Sequence, residues 1–431
     1  MTMSTDTKST PETATAASPA DHSQDVSINS KPPFFRSTLF QILTVGLCAF
    51  CAPGIWSAMN GLGVGGSQSP NLVNAANALL YAFMTVTCFL GPFMTNLIGF
   101  RYTLSLGSIG YPLYAAGFVE GAIATKYPED RKRGRYIATW FTFRNFGNII
   151  GGAISLGINV KLNEQGQVGY QTYLGFIAIQ CLGLLFGLML SDPEKVIRND
   201  GTKIATTHQE AIHWTIELKA LWTRGKSKPI LLLNPLFWYF GWVQAYPGTC
   251  LATYFTVRSR ALGSFLSTIV GTFATWLGGS LVDIHWTSNR KLRAMTTWTL
   301  ITLLNSITWI WAVIIQNEYR KANPILDWAD QSTFGRGFGL YLFERASLGT
   351  VENYIYWCIG NLSSSPGEQI RYSSLLRGIE TAGVTVGFSV QAVPVDLIVS
   401  AGINCGLWFF AMPCSFWATR LVCRRFEEGG I

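Results

Sequence analysis

From Thr38 to Met59 the chain runs for about twenty positions without a charged residue, enough at 1.5 Å per residue for a helix to cross the hydrocarbon core of a bilayer. Lipid offers no partner to backbone N–H and C=O groups, so a chain built on such runs must form helices or a closed barrel. Similar runs recur near 72–97, 102–119, 136–159, 174–190, 230–255, 262–282, 295–315, 334–359, 372–393 and 397–417. Their lengths suit helices rather than barrel strands. The expectation is an all-α polytopic membrane protein with about eleven visible spans. Only 13% of the 431 residues are charged, against about 25% in soluble domains. The formal net charge of +8 comes from basic residues in short loops between apolar runs, where they set orientation. The partner they imply is the lipid bilayer; no nucleic-acid signature accompanies them.

The chemistry-bearing motifs are few. There is no GxxxxGK[ST] loop to hold ATP phosphates, no HExxH and no nucleophile elbow, so the chain reads as a non-enzyme without a cofactor. Nine cysteines lie mostly inside apolar runs with no secreted disulfide spacing. Cys48 and Cys51 form a CxxC, but on a transmembrane helix small packing residues are favoured over a redox or metal site. His208 and His213 are five apart, not the spacing of a helical metal pair, and read as solvated.

In chain order, residues 1–35 are rich in Ser, Thr, Ala, Pro and Asp and predict a disordered tail. Lys31 and Arg36 flank the first span and put that tail in the cytoplasm; no cleaved signal peptide is expected. Residues 36–191 form an N-terminal helical half. Residues 192–228 form a polar linker whose HQEAIHWTIELKALW patch places Ile212, Ile216 and Leu221 on one stripe at the cytoplasmic membrane surface. A C-terminal helical half, 229–419, precedes a short cytoplasmic tail, 420–431.

Charged residues inside apolar runs are the candidate site, because an intramembrane acid or arginine should face an opposite charge or a water-filled cavity. Arg144, with Asn145 beside it, lies some two turns into its run, and snorkelling to the interface competes with a cavity role. Arg345 and Glu352 are seven apart and share a helix face; Arg377 and Glu380, three apart, do so too. Gln244 lies among Trp238, Tyr239, Trp242, Tyr246 and Pro247, which either line a central cavity or pack within the bundle. A structural ion-pair network and a proton or substrate relay weigh equally.

Several stretches carry a resemblance. AFCAPGIWSAMNGLGVGG (Ala49 to Gly66) resembles the opening signature of the Unc-93-like family, a branch of the major facilitator superfamily. NAANALLYAF from Asn74, GFRYTLSLGSIGYPLYAAG from Gly99, YPEDRKRGRYIATW from Tyr127, YFTVRSRAL from Tyr254 and RYSSLLRGIETAG from Arg371 follow in the family's order, so that the likeness covers roughly 36–417. It implies the major facilitator fold, two halves of six helices, and a secondary transporter of a small molecule or ion. Because Unc-93-like relatives are associated with ion-channel regulation and receptor trafficking, it equally implies a regulator or escort with a membrane-protein partner.

The resemblance also frames the loops. GPFMTNLIGFR, with Gly91, Asn96, Gly99 and Arg101, looks like a degenerate form of the superfamily's gating loop, with Asn96 where an Asp is usual. Gly278 and Asp283 repeat its spacing in the second half, followed by Arg290. Glu380 stands where the related motif has a neutral glutamine. Finally, eleven spans leave the cluster at Lys126 to Arg135 on the wrong side for its charge. In the family a fourth span precedes the YPED loop. Here it is missing, as if about thirty residues, a span and its short loop, were absent, whether through the gene model or in a real isoform.

Overall fold

A computed structural model describes residues 34–63, 70–88, 133–191, 196, 214–283, 289–329, 331–362 and 366–428. The helices are α1 (Thr38–Gly61), α2 (70–88), α3 (Arg133–Asn159), α4 (Tyr170–Leu188) and α5 (Trp214–Gly225). After these come α6 (Lys228–Trp242), α7 (Ala245–Tyr254), α8 (Val257–Asp283), α9 (Arg290–Ala322), α10 (Gln331–Leu362), α11 (Pro366–Gln391) and α12 (Leu397–Glu428). The fold is all-α. Five of these helices, α1, α4, α8, α9 and α12, are long and apolar enough by composition to cross a membrane. The expected third span, the loop with Gly91, Asn96, Gly99 and Arg101, the cluster before Arg133, and His208 and His213 lie outside the described residues.

Local chemistry explains the helix ends. Ser37 caps α1 by accepting from the Phe40 N–H at 3.3 Å, and Asn289 caps α9 by accepting from Leu292 at 3.1 Å. Asn323, at φ 41°, turns the chain out of α9 in the left-handed region that asparagine tolerates. Within α1, Pro53 brings no N–H, and the ladder widens into one π turn over Phe50–Gly54 before α-geometry resumes.

Glycines set how closely helices pack. Gly147 and Gly151 lie against α1, where a Cβ on Gly151 would come within 2.6 Å of the Ala58 Cβ; the GNIIG stretch is a contact face. In the C-terminal half, a Cβ on Gly383 would sit 2.6 Å from the Trp238 carbonyl oxygen, and Gly241 faces the Glu380 backbone. These contacts draw α6 and α11 together at the level of Glu380.

The C-terminal half has its own core between α6, α7, α9, α10 and α12. Tyr239 and Tyr246 are inside it. The Trp309 indole donates to Tyr239 Oη at 2.5 Å, and Tyr246 Oη donates to Gln316 Oε1 at 3.1 Å. Of the two places open to these tyrosines, they occupy the bundle interior, because each hydroxyl finds a partner on α9. The amphipathic α5 lays Leu221, 3% exposed, into this core and leaves Trp222 at its surface.

The two halves meet along α3 against α8 and along α2 against α11. Tyr81 stacks on Phe388 at 5.7 Å, and the Thr85 and Thr381 hydroxyls are 3.0 Å apart. At the end where α1 terminates, Asn74 donates to Thr249 Oγ1 and to the Gln391 carbonyl.

Candidate functional site

Four of the sequence-predicted residues converge where α6, α10 and α11 approach one another. Arg377 is the centre. Its Nη1 donates to both Glu380 oxygens at 2.9 and 2.8 Å, as their spacing on α11 allows. Its Nη2 is 3.7 Å from Glu352 Oε1 on α10, and its guanidinium lies 5.5 Å from the Tyr356 ring centroid. One arginine is therefore shared by two acids on different helices, with an aromatic face against it.

Gln244, at the junction of α6 and α7, donates to Glu380 Oε1 at 3.4 Å and to the Phe240 carbonyl at 3.3 Å. Arg144 is half-buried on α3. Asn145 is half-buried at the next position. Glu380 is the most enclosed of the charged residues around Arg377, with a side chain 6% exposed, while Arg377 and Glu352 keep 21% and 28%.

Arg345 takes another place. It shares a face with Glu352 in sequence, yet its guanidinium lies over Tyr341 at 5.3 Å, while Glu352 turns to Arg377. Of the second loop set, Gly278 lies on α8 against Thr350, Asp283 ends that helix and Arg290 begins α9.

Some participants carry no charge or stand at a helix end, and sequence reasoning passed over them. Cys88 and Thr85 bring α2 to the group through Thr381. Arg258 and Arg260 stand at the start of α8. Arg258 pairs with Asp327 in the α9–α10 loop, which also accepts from Thr256 at 2.6 Å and Ser259 at 3.2 Å. Those hydrogen bonds, Arg258 first, hold the Asp327 carboxyl well below the usual carboxylate range. Arg260, 1% exposed, donates to the backbone carbonyls of Leu62, Gly63 and Gly166 in the other half. The signal was RSR beside an apolar run.

No family model matches the chain. It is 34% identical over 408 positions to the Notoamide biosynthesis cluster protein O' of Aspergillus versicolor, covering 88% of this chain and 87% of that protein. An UNC93-like protein of Schizosaccharomyces pombe is 27% identical over 437 positions, covering 91% of this chain and 85% of that one. Among solved structures, a D-xylose–proton symporter superposes with a TM-score of 0.54 at 12% identity, over 89% of this chain and 96% of its own. That likeness concerns the fold, which is that of the major facilitator transporters. The fold and the relatives agree: the chain is an integral multi-pass membrane protein that belongs to the UNC93-like family.

Proposed function

We propose that the protein is a proton-coupled secondary transporter of a small organic solute. Its halves, 36–191 and 229–419, rock about Arg144, Asn145, Gln244, Glu352, Arg377 and Glu380, with the amino-terminal tail and the 192–228 linker in the cytoplasm. One observation carries this reading: Arg377 is held by acids on two helices, Glu352 on α10 and Glu380 on its own. A proton arriving on either acid weakens its tie to Arg377 and leaves the guanidinium free for a solute, so charge movement and solute binding compete for one group. The biosynthesis-cluster name of the Aspergillus relative supports a small biosynthetic product as the solute class rather than an inorganic ion. The loop residues Gly91, Asn96, Gly99, Arg101, Gly278, Asp283 and Arg290 would serve as the gates of the rocking motion, and Arg345 lies outside the exchanging group.

The test is uptake into proteoliposomes under an imposed pH gradient, with a panel of small organic acids, amines and amino acids. Wild-type protein should show gradient-driven uptake of at least one, and Glu352→Gln or Glu380→Gln should lose the dependence on the gradient. Uptake by both variants that keeps its full pH dependence would overturn proton coupling through this group.

A second reading has its own support. The sequence shows eleven apolar runs, one fewer than the two halves of six helices that the family resemblance implies. A chain short of one span in its N-terminal half suits a non-transporting regulator or escort of another membrane protein, or an inactive copy. That reading expects a stable membrane-protein complex in mild detergent and no uptake by any solute.

A further inference from the structure

The last turn of α1 and the two residues that follow it present carbonyl groups to the other half. Those of Leu62 and Gly63 accept from Arg260 Nε at 2.7 Å and Nη2 at 2.9 Å, and that of Ala58 accepts from Ser264 Oγ at 2.7 Å. All these donors lie on α8, in the other half. Gly63, at φ 74°, turns its carbonyl toward the guanidinium in a conformation glycine adopts freely. Arg260 Nη1 reaches the Gly166 carbonyl at 2.9 Å in the loop after α3.

The reverse holds at the start of α8. Its first amides, Val257 and Arg258, donate to the carbonyls of Glu164 at 3.0 Å and Leu162 at 2.9 Å. Each half thus completes the other's helix end. A Cβ on Gly61 would come within 2.9 Å of Ser264 Oγ, so the approach is close as well as polar.

The Arg260 fork donates to the backbone carbonyls of Leu62, Gly63 and Gly166, and it lies at the negative end of the α1 dipole. Such a cation has two comfortable states: enclosed with its three carbonyls, or hydrated once the halves part. An intermediate separation breaks the fork without admitting water. That arrangement is bistable, as a gate requires.

We infer that Arg260 is the latch that holds the two halves closed at the end where α1 terminates. The inference deepens the transport reading but does not need a solute to be tested. The Val257 and Arg258 amides cross the boundary between halves, so their hydrogen exchange reports opening at that end. Full-length protein in nanodiscs is compared with Arg260→Lys, which keeps the charge and loses the fork, and with Ser264→Ala, which removes a single neutral bond. Exchange in a peptide spanning residues 255–262 should accelerate about tenfold or more in Arg260→Lys and less in Ser264→Ala, while residues 301–315 of α9 exchange as in wild type. Unchanged exchange at 255–262 overturns the latch. So does an equal acceleration at 301–315, which would make Arg260 a packing residue only. A protein that shows the expected exchange and carries no solute leaves the latch standing and the transport reading refuted.

Discussion

Arg377 illustrates why a charge in an apolar run is informative and how far the information reaches. Its pairing with Glu380 is readable from a spacing of three on a helix, since such residues are neighbours on one face. Its pairing with Glu352 is not, because that depends on how α10 and α11 are placed, which no spacing along a single helix reports. The same limit explains Arg345: a spacing of seven gave it the face of Glu352, but Tyr341 on its own helix offers a nearer partner. Arg260 was passed over because a basic residue at the edge of an apolar run looks like an interfacial one; only the arrival of α1 shows that it is enclosed. The charge group carries a stability prediction. Arg377→Ala leaves the enclosed Glu380 without its cation and should cost about 3–5 kcal/mol, whereas Arg377→Met combined with Glu380→Leu should be far closer to wild type. Thermal midpoints in one detergent, compared in a double-mutant cycle, check this.

At the scale of elements, the apolar runs were legible as helices because lipid leaves the backbone so few alternatives. The π turn in α1 comes from Pro53, which brings no N–H to the helical ladder. The tie between α8 and the α9–α10 loop was not foreseen, as Arg258 and Asp327 are 69 residues apart. It makes a pH prediction whose sign follows from the lowered Asp327 carboxyl. A depressed carboxylate contributes stability that is fully present above its ordinary unfolded value, about 3.9, and is lost as pH falls through its lower folded value. The wild-type tie should therefore persist down to about pH 4 and weaken below it. Asp327→Asn should lower the thermal midpoint by a few degrees at neutral pH, with the difference from wild type shrinking as the medium is acidified below that point. A difference that grows on acidification would contradict the assignment.

For the whole molecule, the expectation of two halves came from the family resemblance, while the contacts between α1 and α8 and between α2 and α11 were not readable, because they join residues about two hundred to three hundred positions apart. The number of spans in the N-terminal half bears most directly on function. Sequencing the transcript across the codons for Tyr111 to Arg135 should reveal a longer message encoding one more apolar span. A short message alone would favour the regulator or an inactive copy. The carbonyls at the end of α1 bear also on how the protein is made. Arg260 follows Leu62 by 198 residues, so at about 5–20 residues per second a ribosome needs roughly ten to forty seconds to deliver the donors that this first helix lacks. Until then its terminal turn must be sheltered by water or by a helper protein. The N-terminal half, synthesised first, becomes complete only once the second half is under way.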